Sequence, residues 1–203
     1  MSRDGTPKFG RGQTYYGGAV PTAAADLIAH ADLEGKTWKF EDVDYSVAGT
    51  KSVRSGKYVT CMLVRNVHST VILPSDVVVF NVAGSGVEYL GQVKKAIPTL
   101  GQRVAVADEF LPAAGVAVND LFWVVIAGPT MVKTDTAGDT NISIEDYVIP
   151  GATTAGRVIG QDTTVAAGAA TFAQIQGALG RAVKAVNATS TLFLIDVDPK
   201  IAA

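Results

Sequence analysis

The residues best placed to do chemistry in this chain of 203 residues are a pair of glycines and a handful of carboxylates. Asp76-Val-Val-Val-Phe-Asn-Val-Ala-Gly-Ser-Gly86 runs an apolar segment into Gly84 and Gly86, with Asp108 and Glu109 following downstream. A dinucleotide fold uses that order: glycines for the tight turn and close pyrophosphate approach, then an acid about twenty residues on for the ribose. The third glycine fails, because position 89 is Tyr89 and Gly91 arrives late. Nor does the rest of the chain alternate helices with parallel-strand runs, so a plain hairpin turn at Gly84-Ser85-Gly86 is the stronger reading.

The remaining candidates thin out on the same kind of test. Asp108 and Glu109 could supply a carboxylate pair, but strand alternation sends neighbours to opposite faces and keeps them from sharing a substrate, so the pair reads as a strand-end loop feature. Asp196 and Asp198 do share a face, and could hold a cation or pair with Arg157 or Arg181; salt-bridged carboxylates are favoured, since too few oxygen ligands are in view for a metal. His30 and His68 have no ligand-spaced Cys or Asp cluster around them, so no metal site is expected. Ser55 and Ser85 lack the strand-to-helix context of a nucleophile elbow. The single cysteine, Cys61, sits in an apolar run and reads as a small buried hydrophobe. With no acid, base and nucleophile set converging, neither an enzyme nor a cofactor is expected.

Composition points the same way. Seventeen Lys+Arg against nineteen Asp+Glu give a formal net charge of −2, too balanced for the basic face that nucleic-acid binding needs. No apolar run approaches the length that spans a bilayer, and the opening residues lack the apolar core of a secretory signal. One cysteine allows no internal disulfide.

The elements that would position these groups are strands. From Tyr58 onward, short β-branched and aromatic runs recur between turn signals: Tyr58–Val64, Ser69–Leu73, Asp76–Val82, Val87–Val93, Arg103–Phe110, Leu121–Ile126, Thr130–Lys133, Tyr147–Val148, Gly156–Ile159 and Thr191–Val197. Gly128-Pro129 and Pro150-Gly151 are among the expected breaks. Phe122 and Trp123 adjoin on one run; a continuously apolar strand covered on both faces accommodates both. Phe172–Val186 is ambiguous, its apolar positions falling at helical spacing. Before Tyr58 the texture changes. Residues 1–22 hold five glycines and two prolines, Ala23–Leu33 suits a short amphipathic helix ended by Gly35, and Lys36–Asp44 alternates as an amphipathic strand. The expected architecture is all-β, a barrel- or sandwich-like body over 56–203 with two lobes dividing near 133–141. An extended N-terminal arm with a short helix precedes it over 1–55. Phe9, Tyr15, Tyr16, Trp38 and Phe40 in that arm are large side chains with few apolar partners nearby, and are read as interface anchors. On that reading, deleting residues 2–45 leaves the body folded.

One phrase carries a resemblance. Gly115-Val-Ala-Val-Asn-Asp-Leu-Phe-Trp-Val-Val-Ile-Ala-Gly-Pro129, following the alanine-rich Pro112–Ala114, resembles capsid decoration, or cement, proteins of tailed bacteriophages. The likeness extends more faintly from Tyr58 to Pro199, and residues 1 to about 55 have no counterpart in it. It implies a virion structural protein on the outer surface of a phage head, assembled in the host cytoplasm, binding the major capsid protein as a homo-trimer, with no nucleic acid or membrane partner. It also implies that Gly177–Val186 is a strand turning through Asn187–Ser190 into Thr191–Val197, where periodicity alone suggests a helix. The rival reading is a β-sandwich module that recognises a glycan or host-surface ligand through exposed aromatics such as Phe122 and Trp123.

Overall fold

Valine, isoleucine and aromatic runs that suit a pleated surface become ten strands in the computed structural model, which describes residues 10–14, 34–44, 52–82, 88–97, 102–135, 142–151, 154–161, 178–185 and 192–198. They are β1 (Thr37–Asp44), β2 (Ser52–Asn66), β3 (Val77–Val82), β4 (Glu88–Lys94), β5 (Val104–Ala107), β6 (Leu121–Lys133), β7 (Tyr147–Pro150), β8 (Val158–Gln161), β9 (Gly180–Ala182) and β10 (Leu192–Val197). The described residues contain no helix. The expected helix at 23–33 lies outside them.

The strands form one large sheet in the order β1-β2-β4-β3-β5-β6-β10-β9-β7-β8, with a further pairing of β2 with β6. That extra pairing closes β2, β4, β3, β5 and β6 into a circuit. Cys61 shows how: it faces Trp38 of β1 across one edge of β2 and Val125 of β6 across the other. All named strand pairs are antiparallel except β2 with β4, which meet in parallel at Arg65 and Asn66. A parallel bridge from Thr134 to Val158 brings β8 back to the end of β6.

Two apolar clusters use the two faces of the strands around β6. Val59, Cys61, Leu63, Val77, Val79, Val104, Val106, Leu121, Trp123 and Val125 belong to one, which continues through Val132 at the far end of β6 to Val148, Leu179, Phe193 and Ile195 in the C-terminal part of the chain. Met62, Val64, Val78, Phe80, Ala105, Ala107, Phe122 and Val124 alternate with them into the other, completed by Ile72, Leu111 and Val116. This is why Val77–Phe80 of β3, all of β5 and the first half of β6 are apolar at every position. The first cluster spans both ends of the sheet, so residues on either side of the expected lobe boundary share one core.

Three differences from the sequence reading have clear causes. Gly128-Pro129 does not end a strand: β6 runs through it, bending at Gly128 (φ 95°) as its partner changes from β2 to β10. A Cβ there would lie 2.5 Å from the Tyr58 carbonyl oxygen, so only glycine allows the two strands to approach. Ser69–Leu73 makes only the Ile72–Val116 bridge. The stretch Thr37–Asp44, expected as arm, is hydrogen-bonded into the sheet as β1. Within Phe172–Val186, the described residues favour the hairpin, since Gly180–Ala182 pairs with Ile195–Val197.

Three strands are launched by the same device. Leu73–Asp76, Ala117–Asp120 and Ser143–Asp146 are four-residue turns whose fourth N–H donates to the first carbonyl, with Ser75, Asn119 and Glu145 in the left-handed region at the third place. That is type II turn geometry. In two of them the aspartate also accepts from the first residue's N–H, Leu73 to Asp76 Oδ2 at 3.0 Å and Ser143 to Asp146 Oδ2 at 2.7 Å. A buried Ile72, Val116 or Ile142 precedes each turn, and β3, β6 or β7 follows at once.

Candidate functional site

The strongest concentration of charge lies where β1, β2 and the end of β5 meet. The β1–β2 ladder loses register between Glu41 and Val43, opposite the span from Tyr58 back to Val53. Such irregularities re-aim side chains, and here Asp42 turns into the body and is fully buried. From the opposite strand Arg54 reaches it, Nη2 to Oδ1 at 2.6 Å. The same guanidinium forks onto Glu109, through Nη1 to Oε2 at 2.9 Å and Nη2 to Oε1 at 2.8 Å. A second guanidinium arrives from the N-terminal segment: Arg11 donates to Asp108 Oδ1 from Nε at 3.2 Å and from Nη2 at 2.8 Å, and lies 3.5 Å from Glu109. The Gly12 N–H occupies the other Asp108 oxygen at 2.9 Å.

Asp108 and Glu109 form the strand-end loop feature expected of them, but they converge on one network where strand alternation would have separated them. β5 ends at Ala107, so the pair sits in a turn, where strand alternation does not apply, and both carboxylates enter one network. Of their partners, Arg54 and Asp42 carry no local sequence signal, while Arg11 belongs with Arg3 and Lys8 to a basic N-terminal group suited to docking on an acidic surface.

The electrostatics follow from burial and pairing. Burial opposes the charge of Arg54, but its bonds to Glu109 and Asp42 outweigh that and raise its pKa. Arg11 is likewise raised, with Asp108 overcoming the desolvation. Glu109 is pushed above its ordinary 4.5, chiefly by burial and against the pull of Arg54 and Arg11. The Cys61 thiol is also pushed up by burial and by Asp108, as a buried, unreactive thiol should be. With Asp42 and Asp108 sealed from solvent, the arrangement is suited to guanidinium–carboxylate recognition and to holding segments together.

The other expected residues fall elsewhere. Trp38 and Phe40 are both half-buried against the core, and Phe40 meets Trp123 edge-on with ring centroids 5.3 Å apart. They form the inward face of β1. Phe9, Tyr15, Tyr16 and His30 lie outside the described residues. Trp123 is 3% exposed and Phe122 is fully buried, one in each cluster, which removes the side chains named for glycan binding. The strands flanking Gly84–Gly86 are an antiparallel pair, as a hairpin requires; the turn itself is outside the described residues. Asp196 pairs with Lys57, and Arg181 instead takes Glu145 and the Tyr147 hydroxyl. Among the described residues no group of three or more His, Cys, Asp or Glu is arranged to hold a metal, and no helix is long and apolar enough to cross a membrane.

No family model and no curated protein matches the chain. Among solved structures, the head fiber gp8.5 N base of bacteriophage phi29 superposes with a TM-score of 0.35 at 13% identity, over 70% of this chain and 95% of that one. That is too loose an overlap to bear on fold or function.

Proposed function

We propose that this protein is a virion structural component that decorates and stabilises a bacteriophage head by binding the major capsid protein lattice. The observation that carries the reading is the Gly115–Pro129 phrase. Its residues become the Val116 bridge, the Asp120 turn and the first part of β6, the strand that β2, β5 and β10 all pair with. The likeness to phage decoration proteins thus falls on the framework around which the fold is organised. Contact with the lattice would use apolar side chains left on the surface, in place of the half-buried Trp38 and Phe40. Among the described residues, Tyr58 and Val53, 64% and 65% exposed on the same stretch of β2, are the largest such opportunity. Each such side chain buried contributes roughly 1.5–3 kcal/mol before ordering costs, and repetition over a shell multiplies it. The protein would act as a homo-trimer on the outer face of the head, without nucleic acid or membrane.

The test is to add purified protein to heads assembled without it and to follow co-sedimentation and heat-induced rupture. Saturable binding that raises the rupture temperature, with new density on the outer face by cryo-electron microscopy, is the expected result. Heads that neither bind the protein nor gain resistance would remove the proposal. Tyr58→Ser and Val53→Ser, both at exposed positions, should weaken binding without unfolding the chain.

A further inference from the structure

Gly10–Gln13 is a self-contained unit: the Gln13 N–H donates to the Gly10 carbonyl, and the Gly10 N–H donates to Gln13 Oε1. The body receives it at a notch made by Asp108, Glu109 and Phe110. Both oxygens of the fully buried Asp108 are given to it, one to the Arg11 fork and one to the Gly12 N–H. The Arg11 guanidinium lies over the Phe110 ring, 4.6 Å from its centroid. Gly12 has a left-handed φ of 79°, and a Cβ there would lie 2.6 Å from the Phe110 carbonyl oxygen. The notch thus reads an arginine fork, a backbone N–H and the absence of a side chain, in that order.

We propose that this notch is a docking site for a Gly-Arg-Gly segment, filled here by the chain's own Gly10–Gly12 and able to take the same segment from a second copy. Two observations point to the second copy as occupant. First, the recognised unit carries its own fold, so it presents the same groups whichever chain it belongs to. Second, the tether is long for the gap it crosses in one chain. Gly35 bonds Leu63, Leu63 faces Trp123, and Asp108 bonds the Trp123 carbonyl, which places the two ends of the tether about three strand spacings, or roughly 14 Å, apart. Residues 15–33 can span up to roughly 60 Å, enough to reach a neighbour. A vacated notch leaves Asp108 with no charged partner and only the long 3.5 Å bond from the Phe110 N–H, so a neighbour's segment would replace the lost bonds, the usual condition for exchange of an element between copies.

In a single chain the tethered segment competes at an effective concentration of order millimolar, so the test removes it. Full-length Arg11→Ala, checked for cooperative unfolding, is titrated with the acetylated, amidated peptide Gly-Arg-Gly-Gln-Thr, the sequence of residues 10–14. Saturable one-to-one binding is expected, lost in Arg11→Ala/Asp108→Asn. A peptide with lysine in place of arginine, which cannot fork onto the carboxylate, should bind at least about tenfold more weakly. Mixing Arg11→Ala, with an intact notch, and Asp108→Asn, with an intact segment, should yield a species containing both chains by native mass spectrometry. No saturation by about 10 mM peptide, binding indifferent to Asp108→Asn, or a mixture that never forms the joint species would each overturn the proposal. If Arg11→Ala does not fold, Gly12→Val, whose side chain collides with Phe110, vacates the notch for the same titration.

Discussion

Leu121–Val125 and Gly128–Lys133 are consecutive parts of one strand, yet they live in different surroundings. The first is buried at every position between β2 and β5, its side chains shared between two clusters. The second pairs with β10, a strand whose burial alternates from Leu192 to Val197. A strand covered on both faces is selected for apolarity throughout; one covered on a single face is selected at every second residue. The difference predicts a core that gives way only as a whole and an end of the sheet that opens locally.

Substitutions in the two settings should expose that difference most sharply. Phe122→Ala empties a fully buried site in the second cluster and should cost about 3–5 kcal/mol in one cooperative transition measured by denaturant. Phe193→Ala, on β10, should instead raise amide exchange in β7–β10 well before β2–β5 responds. Equal acceleration across all strands would mean the sheet behaves as one unit and the comparison fails.

The charge network ranks next. Arg54→Met leaves Asp42 buried with neither oxygen paired, because Oδ2 has no partner even in the intact protein. A loss of about 3 kcal/mol is expected, and the double change Arg54→Met/Asp42→Leu should recover much of it. Gly128→Ala tests the hinge between the two halves of β6. Its φ of 95° and the Tyr58 carbonyl in the way should together cost about 2 kcal/mol, with exchange rising first at the β6–β10 pairing.

The same contrast governs what could be read from the sequence. Valine runs such as Val77–Phe80 and Leu121–Val125 announced strands, and the adjacency of Phe122 and Trp123 correctly implied cover on both faces. The hidden parts were those fixed by contacts distant in sequence. Gly128-Pro129 reads as a break because the close approach of Tyr58 that requires a glycine there is invisible locally. Asp108 and Glu109 read as a strand-end feature, in keeping with the end of β5 at Ala107, but nothing local announces that Arg11 reaches them from nearly a hundred residues away. Trp38 and Phe40 read as arm residues because the core they pack on is remote in the chain, Phe40 meeting Trp123 more than eighty residues away. The three aspartate-ended turns escaped notice because 73–76, 117–120 and 143–146 share a backbone shape without sharing a period.

Glu109 offers a pH test of the buried cluster. Its pKa is raised in the folded protein, so the folded state holds the proton more tightly than the unfolded chain. Stability contributed by this group therefore increases as pH falls through the raised value and levels off below the ordinary 4.5. Glu109→Gln removes that slope. The stability difference between wild type and variant, followed by urea titration from pH 7 to pH 4, should shift in favour of wild type as the solution is acidified. A shift in the opposite direction would mean that the two guanidiniums, and not burial, dominate at this carboxylate.

The smallest effect distinguishes the turns. Ser75, Asn119 and Glu145 occupy the same left-handed place, at φ 62°, 70° and 73°, but asparagine tolerates it far better than a long side chain does. Glu145→Gly should therefore stabilise by about 0.5–1 kcal/mol, visible as a rise in Tm of roughly 1–4 °C for a chain of this size. The exposed pair with Arg181 that it sacrifices is worth too little to reverse the sign. Asn119→Gly should change almost nothing. If the two glycine variants gained equally, backbone strain would not be what sets these turns apart. Attention would then move to Asp76 and Asp146, whose carboxylates bond back to the first residue of their turns.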